Sequence, residues 1–193
     1  GVGGDALAPL GLDLLASGPG AVVAGPPRSG RSSVLLTIAR SLIAYGTPVV
    51  AVVPRRSPLR DLEGALAVLD GNATGLGDLL DGRDRYVVIV DDAELINPDS
   101  PAGQCFDEVL RTGRDGEHGL LLGGATGDLA TAYRGFVAET RKSRTGFLLS
   151  VQSPADGDLF TIRLPRGAVG GPPGRGLLVT MGATTPVQAA IPE

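Results

Sequence analysis

Ten residues constrain this chain more than any others: Ala24-Gly25-Pro26-Pro27-Arg28-Ser29-Gly30-Arg31-Ser32-Ser33. They lie between the apolar run AVVA (21–24) and the periodic segment VLLTIARSLIAYG (34–46). A buried strand, a glycine-bounded bend and a helix in direct succession make the plan of a phosphate-binding loop. The bend wraps an anion with its amide hydrogens inward, and the helix start adds a partial positive charge.

In the pattern G-x-x-x-x-G-K-[ST], Gly25 and Gly30 occupy the two glycine positions, and Ser32 is the hydroxyl expected on magnesium. Pro26 and Pro27 lack amide hydrogens, but they fall in the first half of the loop, away from the principal donors. Residues Gly25 through Ser33, including Arg28 and Ser29, are therefore the candidate nucleotide-binding set. Arg31 is the departure. A lysine is a compact point charge that reaches between terminal phosphates, whereas arginine is a wide planar fork. Anion affinity is expected to survive the exchange better than catalytic geometry.

A loop of this kind needs an acid at the end of a second apolar strand, and RYVVIVDDAELI (85–96) supplies two. Asp91 is expected to orient a magnesium-bound water, and Asp92 stands where a base for the attacking water belongs. Asp92 is one methylene shorter than the glutamate common at that point. The competing reading is that both aspartates merely cap the following turn.

Further apolar runs at 48–53, 119–123 and 146–150 lose the alternation of a half-exposed strand and read as strands buried on both faces. Helical spacing is expected over 32–44, 75–80, 104–112 and 128–142. The alternation of the two predicts an α/β domain with a mainly parallel sheet flanked by helices. The run ALAVL (65–69) suits a strand or a turn of helix and is read as a short strand or an irregular link. Toward the C-terminus, LFTIRLP (159–165), GRGLLVTM (174–181) and TPVQAAIP (185–192) predict short antiparallel strands added to the sheet.

The 193 residues suit one domain, and with 42% hydrophobic content they can bury one good core. The net charge of −4 gives no basic footprint for nucleic acid. Cys105 and His118 stand alone of their kinds, which excludes an intrachain disulfide and a zinc site built from them. Neither is assigned a chemical role. No stretch approaches the ~18 apolar residues of a membrane span. The chain begins with glycine and is taken as a piece of a longer protein.

With these residues in place, the chain resembles the FtsK/SpoIIIE ATPases, and within them the C-terminal ATPase modules of the type VII secretion motors EccC and EssC. The resemblance runs through the opening segment and loop, VVIVDDAELI, SRTGFLLS, DGDLFTIRLPRG, PPGRGLLV and TPVQAAIP, in the family's order. It implies a RecA-like P-loop NTPase fold over residues 1–193 and ATP with Mg2+ as ligands. Implied partners are neighbouring modules of the same chain or a hexamer, and a secreted protein's C-terminal signal. The implied location is the cytoplasmic face, as the soluble part of a membrane-anchored protein. DNA, which other members pump, fits the acidic balance less well.

Departures from the family's active pattern are Arg31, Asp92, and a β-strand end, LLLGGATGD, without a clear polar sensor. Thr126 is the candidate sensor there, or else an N-cap of the next helix. Arg144, with Arg141 nearby, is a candidate arginine finger for a neighbouring subunit, or a solvated charge near a helix C-terminus. Together the departures point to a degenerate module with slow hydrolysis. The alternatives are an active DNA translocase module and a nucleotide-free module that binds a peptide.

Overall fold

The computed structural model describes residues 2–3, 8–9 and 11–189. After two short strands, β1 (Val2–Gly3) and β2 (Ala8–Pro9), β3 (Gly20–Ala24) leads into α1 (Arg31–Ala44). Next come β4 (Val49–Val52), β5 (Ala67–Leu69), α2 (Leu76–Leu80), β6 (Arg85–Val90) and α3 (Pro101–Gly113). β7 (Glu117–Gly124), α4 (Thr126–Thr131), α5 (Gly135–Arg141) and β8 (Gly146–Leu149) follow, and β9 (Arg175–Thr180) and β10 (Ala183–Gln188) close the described chain.

All ten strands of the described residues join one sheet in the order β2-β1-β10-β9-β8-β3-β7-β6-β4-β5. From β8 to β5 every pairing is parallel, and from β8 outward through β9, β10, β1 and β2 every pairing is antiparallel. Both faces of the parallel part are covered, which is why its strands lack alternation. Val22, Val50, Val88 and Leu122 pack with Phe106 of α3 and Phe136 of α5. Val23, Ala51, Ile89 and Leu121 pack on the other face with Val34, Leu35 and Ala39 of α1. Phe106 and Phe136 meet edge to face, with ring centroids 5.1 Å apart.

Three expectations are corrected. The helix expected over 128–142 is two helices, because the chain leaves helical backbone at Ala132 (ψ 120°) and Arg134 (φ −149°, ψ 167°) before Gly135, at a left-handed φ of 69°, opens α5. The run 159–165 is not a strand: Pro154–Phe160 is a 3-10 helix that ends at Thr161, itself left-handed with a φ of 53°. Its carbonyls are held by arginines instead of a neighbouring strand. Arg141 Nε donates to Leu159 O at 3.1 Å, Arg144 Nε to Phe160 O at 3.0 Å and Arg144 Nη2 to Thr161 O at 3.1 Å. Helix α3 starts at Pro101 rather than at residue 104, since Ser100 Oγ accepts from Gly103 N at 3.1 Å and proline is tolerated in a first turn. The short-strand reading of 65–69 holds as β5, and the expected final strand is β10, with residues 190–192 of that run outside the described residues.

The topology positions the site. In a parallel sheet the C-terminal ends of all strands share one edge, and β7 lies between β3 and β6, with Ala24 beside Gly124 and Val90 beside Leu122. The loop after β3, the acids after β6 and the turn after β7 therefore converge. Among the described residues no helix is long and apolar enough to cross a membrane.

Candidate functional site

The loop closes on itself before it meets anything else. Ser29 N donates to Pro26 O at 3.2 Å, and Gly25 N donates to Gly124 O at 3.3 Å, tying the first glycine to the tip of β7. Arg28 carries the strain of the bend at φ 66°. A side chain at Gly25 would strike Ser29 Oγ at 2.4 Å and Leu149 O at 2.9 Å, so the position admits only glycine. Gly30 is the N-cap of α1 at φ 95°, and no side chain caps the helix. The amides of the first turn, which have no partner within a helix, are thus presented at the loop.

Ser32 and Asp91 stand together as a magnesium pair would. Ser32 Oγ donates to Asp91 Oδ2 at 2.7 Å, and Asp91 is buried, its other oxygen accepting from Asp92 N at 3.1 Å. Magnesium commonly takes one or two protein donors and keeps several waters, so this pair suffices for an ion shared with phosphates. Among the described residues no group of three or more His, Cys, Asp or Glu side chains could hold a metal alone.

Arg31 is folded across the loop. Its Nη1 donates to Gly25 O at 3.1 Å and its Nη2 to Asp92 Oδ1 at 3.3 Å, with only 14% and 18% of the two side chains exposed. Asp92 sits in left-handed backbone at φ 48° and makes no side-chain cap bond, so the capping reading of this aspartate fails. Burial, then the neighbouring Asp91 charge, push its carboxyl above the ordinary range, while Arg31 and Arg55 pull it back.

Thr126 is also no N-cap. It is the first residue of α4, whose N-cap is Ala125, and its hydroxyl is buried without a partner. Arg144 lies ahead of β8, at the opposite end of the parallel strands from the loop. Its guanidinium and that of Arg141 brace backbone carbonyls, and neither is brought to this chain's own loop. His118 donates or accepts at Thr112 Oγ1 and Asp84 O and stacks on Tyr86, a structural role.

Two participants escaped the sequence reading. Gly174, from the Gly- and Pro-rich segment before β9, donates its amide to Ser29 O at 2.9 Å and braces the loop from the antiparallel side. Glu94, in the 3-10 turn Ala93–Leu95, reaches the tip of β7, where Oε1 accepts from Ala125 N at 3.2 Å. Burial raises its carboxyl's affinity for a proton, opposed by the backbone amides of Glu94 itself and Ala125 and by Arg31. The available signal was the third acid in DDAE opposite the pair Gly123-Gly124, two positions without side chains. A side chain at Gly124 would lie 2.4 Å from Glu94 Oε2.

No family model matches the sequence, and no curated protein matches it. Solved structures do. The pair of ATPase domains 2 and 3 of Thermomonospora curvata EccC, in complex with a signal sequence peptide, superimposes with a TM-score of 0.78 at 19% identity, over 100% of this chain and 40% of that one. EssC ATPases 2 and 3 from Geobacillus thermodenitrificans give 0.78 at 15% identity, again over 100% and 40%. The genome packaging NTPase B204 of Sulfolobus turreted icosahedral virus 2, in complex with ATP-gammaS, gives 0.59 at 14% identity over 91% of this chain and all of that one. The chain thus has the P-loop NTPase fold of the EccC and EssC ATPase domains, and it spans about two-fifths of the length of those two matched chains.

Proposed function

We propose that this chain, built on the fold of the EccC and EssC ATPase domains, is an ATP-binding module of a type VII-like secretion motor. The observation that carries the reading is a convergence at the loop. Ser32 is hydrogen-bonded to Asp91, and among the described residues three buried side-chain atoms lack a partner: Ser29 Oγ, Glu94 Oε2 and Thr126 Oγ1. All three stand at the loop or at the strand ends facing it. Unsatisfied buried polar atoms are costly and call for an absent ligand or water. A triphosphate with its metal fits the donor set: loop amides and Ser33 on the phosphates, Ser32 and Asp91 on the ion.

Hydrolysis is slow on this reading. Arg31 must leave Gly25 O and Asp92 before it can reach phosphate, and its fork does not fill a lysine's slot. Bound nucleotide then serves chiefly to brace contacts with neighbouring modules, at the cytoplasmic face of a membrane-anchored assembly. The Thermomonospora protein is in complex with a signal sequence peptide, and on this reading the partner of this chain is the C-terminal signal of a secreted protein.

Thermal denaturation with Mg–ATP tests the reading: ATP raises Tm, and Arg31→Ala and Asp91→Asn each diminish the shift. Absence of binding at millimolar ATP by calorimetry would end it.

One observation favours a second reading. The clasp of Arg31 on Gly25 and Asp92 is what a nucleotide-free module would use to close its loop, leaving peptide binding to another surface. A groove of 330 Å³ between α1 and the antiparallel strands, lined by Leu14, Ile38, Leu42, Phe147, Leu178 and Val187, offers one. Under this reading Mg–ATP leaves Tm unchanged, whereas Arg31→Ala lowers it.

A further inference from the structure

We propose that Glu94, rather than Asp92, is the catalytic carboxylate of this site, and that Thr126 shares with it the water that attacks the nucleotide. The inference rests on the ATP-binding reading above.

The position expected of the base is already engaged. Asp92 Oδ1 accepts from Arg31, and its left-handed backbone turns the residue toward that partner. Glu94 differs from Asp92 in that no cation among the described residues is paired with it and its unpartnered oxygen is buried. Its Oε1 is anchored on Ala125 N at 3.2 Å, which fixes the carboxyl plane at the tip of β7 and leaves Oε2 without any partner. The same tip holds the loop, because Gly124 O accepts from Gly25 N at 3.3 Å. Glu94 Oε2 therefore stands against the residue that bonds the first loop glycine, at the strand end between β3 and β6.

A purely structural account of Glu94 fails on cost. A buried carboxylate oxygen with no donor is expensive, and an apolar residue in this turn would pack beside Leu129 without that penalty. The chain instead keeps the acid and leaves Gly124 bare to make room for it. One residue beyond the Ala125 anchor, Thr126 presents a second orphaned oxygen, in a residue 8% exposed. A carboxylate that needs a donor and a hydroxyl that can accept or donate are together the complement of one water molecule.

With a nucleoside triphosphate in the loop, that water gives a proton to Glu94 Oε2 while its oxygen forms a bond to the terminal phosphorus. The bond from that phosphorus to the bridging oxygen breaks, and the electron pair leaves with the diphosphate. The proton on Glu94 passes afterward to the released phosphate or to solvent, restoring the carboxylate. In the arrangement seen here both oxygens are shut off from solvent, so water reaches them only when the region opens around a substrate. That keeps the base idle in its absence.

The test compares wild type, Glu94→Gln, Thr126→Val and Asp92→Asn, each followed by calorimetric titration with Mg–ATP, by phosphate release and by Tm. Glutamine keeps the Ala125 acceptor and the side-chain volume. The expected result for Glu94→Gln is a dissociation constant within about threefold of wild type and turnover lower by about 100-fold or more, the range for loss of a general base. Thr126→Val lowers turnover in the same direction with affinity retained. Asp92→Asn removes the charge that holds Arg31 and leaves a weaker neutral acceptor, which loosens Arg31 and raises turnover. Wild-type turnover in Glu94→Gln, loss of turnover confined to Asp92→Asn, or binding without turnover in every protein overturns the assignment and leaves ATP binding standing. Failure of all four folded proteins to bind Mg–ATP overturns the ATP-binding reading and the assignment with it.

Discussion

Arg31 engages two acceptors at once, and this is where the site differs most from a lysine loop. A lysine's single ammonium cannot span Gly25 O and Asp92 in the same planar fork, so Arg31→Lys should loosen the clasp and return a point charge to the phosphates. The expected gain in Mg–ATP affinity is about tenfold, equivalent to about 1.4 kcal/mol, measurable by calorimetry. Glu94 makes a separate prediction through its proton. Its folded carboxyl titrates above the ordinary 4.5 because burial disfavours the charge. The folded state thus holds the proton more tightly than the unfolded state, and stability falls as pH rises from about 4.5 through the raised value. Glu94→Gln abolishes that dependence. The variant should be more stable than wild type at pH 8, with the gap closing toward pH 4.5 in denaturant titrations. Such a gain in stability at the expense of turnover is the usual mark of a functional residue.

At the scale of elements, the loop and its flanking strand and helix were legible because all their determinants are local. Gly30 ends the bend, Arg31 to Ala44 carries helical spacing, and Gly20 to Ala24 is apolar throughout. The break between α4 and α5 was not legible, since residues 128–142 keep helical spacing across it. The chain leaves helical backbone at Ala132 and Arg134, and Gly135 then opens α5 in left-handed backbone against Pro98, a residue distant in sequence. A side chain there would lie 2.5 Å from Pro98 Cβ. Gly135→Ala should therefore destabilise the domain by about 1–3 kcal/mol in urea denaturation, combining the backbone penalty with the clash. The 3-10 helix Pro154–Phe160 escaped for a similar reason. Its apolar residues look strand-like, and only Arg141 and Arg144, brought over from before β8, take up the carbonyls that a strand would offer to a neighbour.

For the molecule as a whole, the acidic balance and the fold jointly predict how the module treats nucleic acid. A net charge of −4 offers few counterions to release from duplex DNA. Adding duplex DNA at about 0.15 M salt, where affinities of this kind are already weakened, should change ATP turnover by less than about twofold. Marked stimulation would instead identify a DNA translocase module. The antiparallel part of the sheet is also tied to the loop. Gly174, directly before β9, donates to Ser29 O and accepts from Ala189 N, so the segments flanking β9 and β10 are linked to the loop.

Taken alone, the order of residues determined the loop, the parallel sheet, the pairing of Ser32 with an acid near residue 91, and the antiparallel strands near the end. Each rests on periodicity or on a short motif that acts within a few residues of itself. Only the tertiary structure decided that Arg31 closes on Asp92, that Glu94 occupies the space left by Gly124, and that Arg144 braces backbone away from the loop. Those contacts join segments 16 to 61 residues apart in sequence. Which partner a long side chain finds depends on the strand order that brings the segments to one edge.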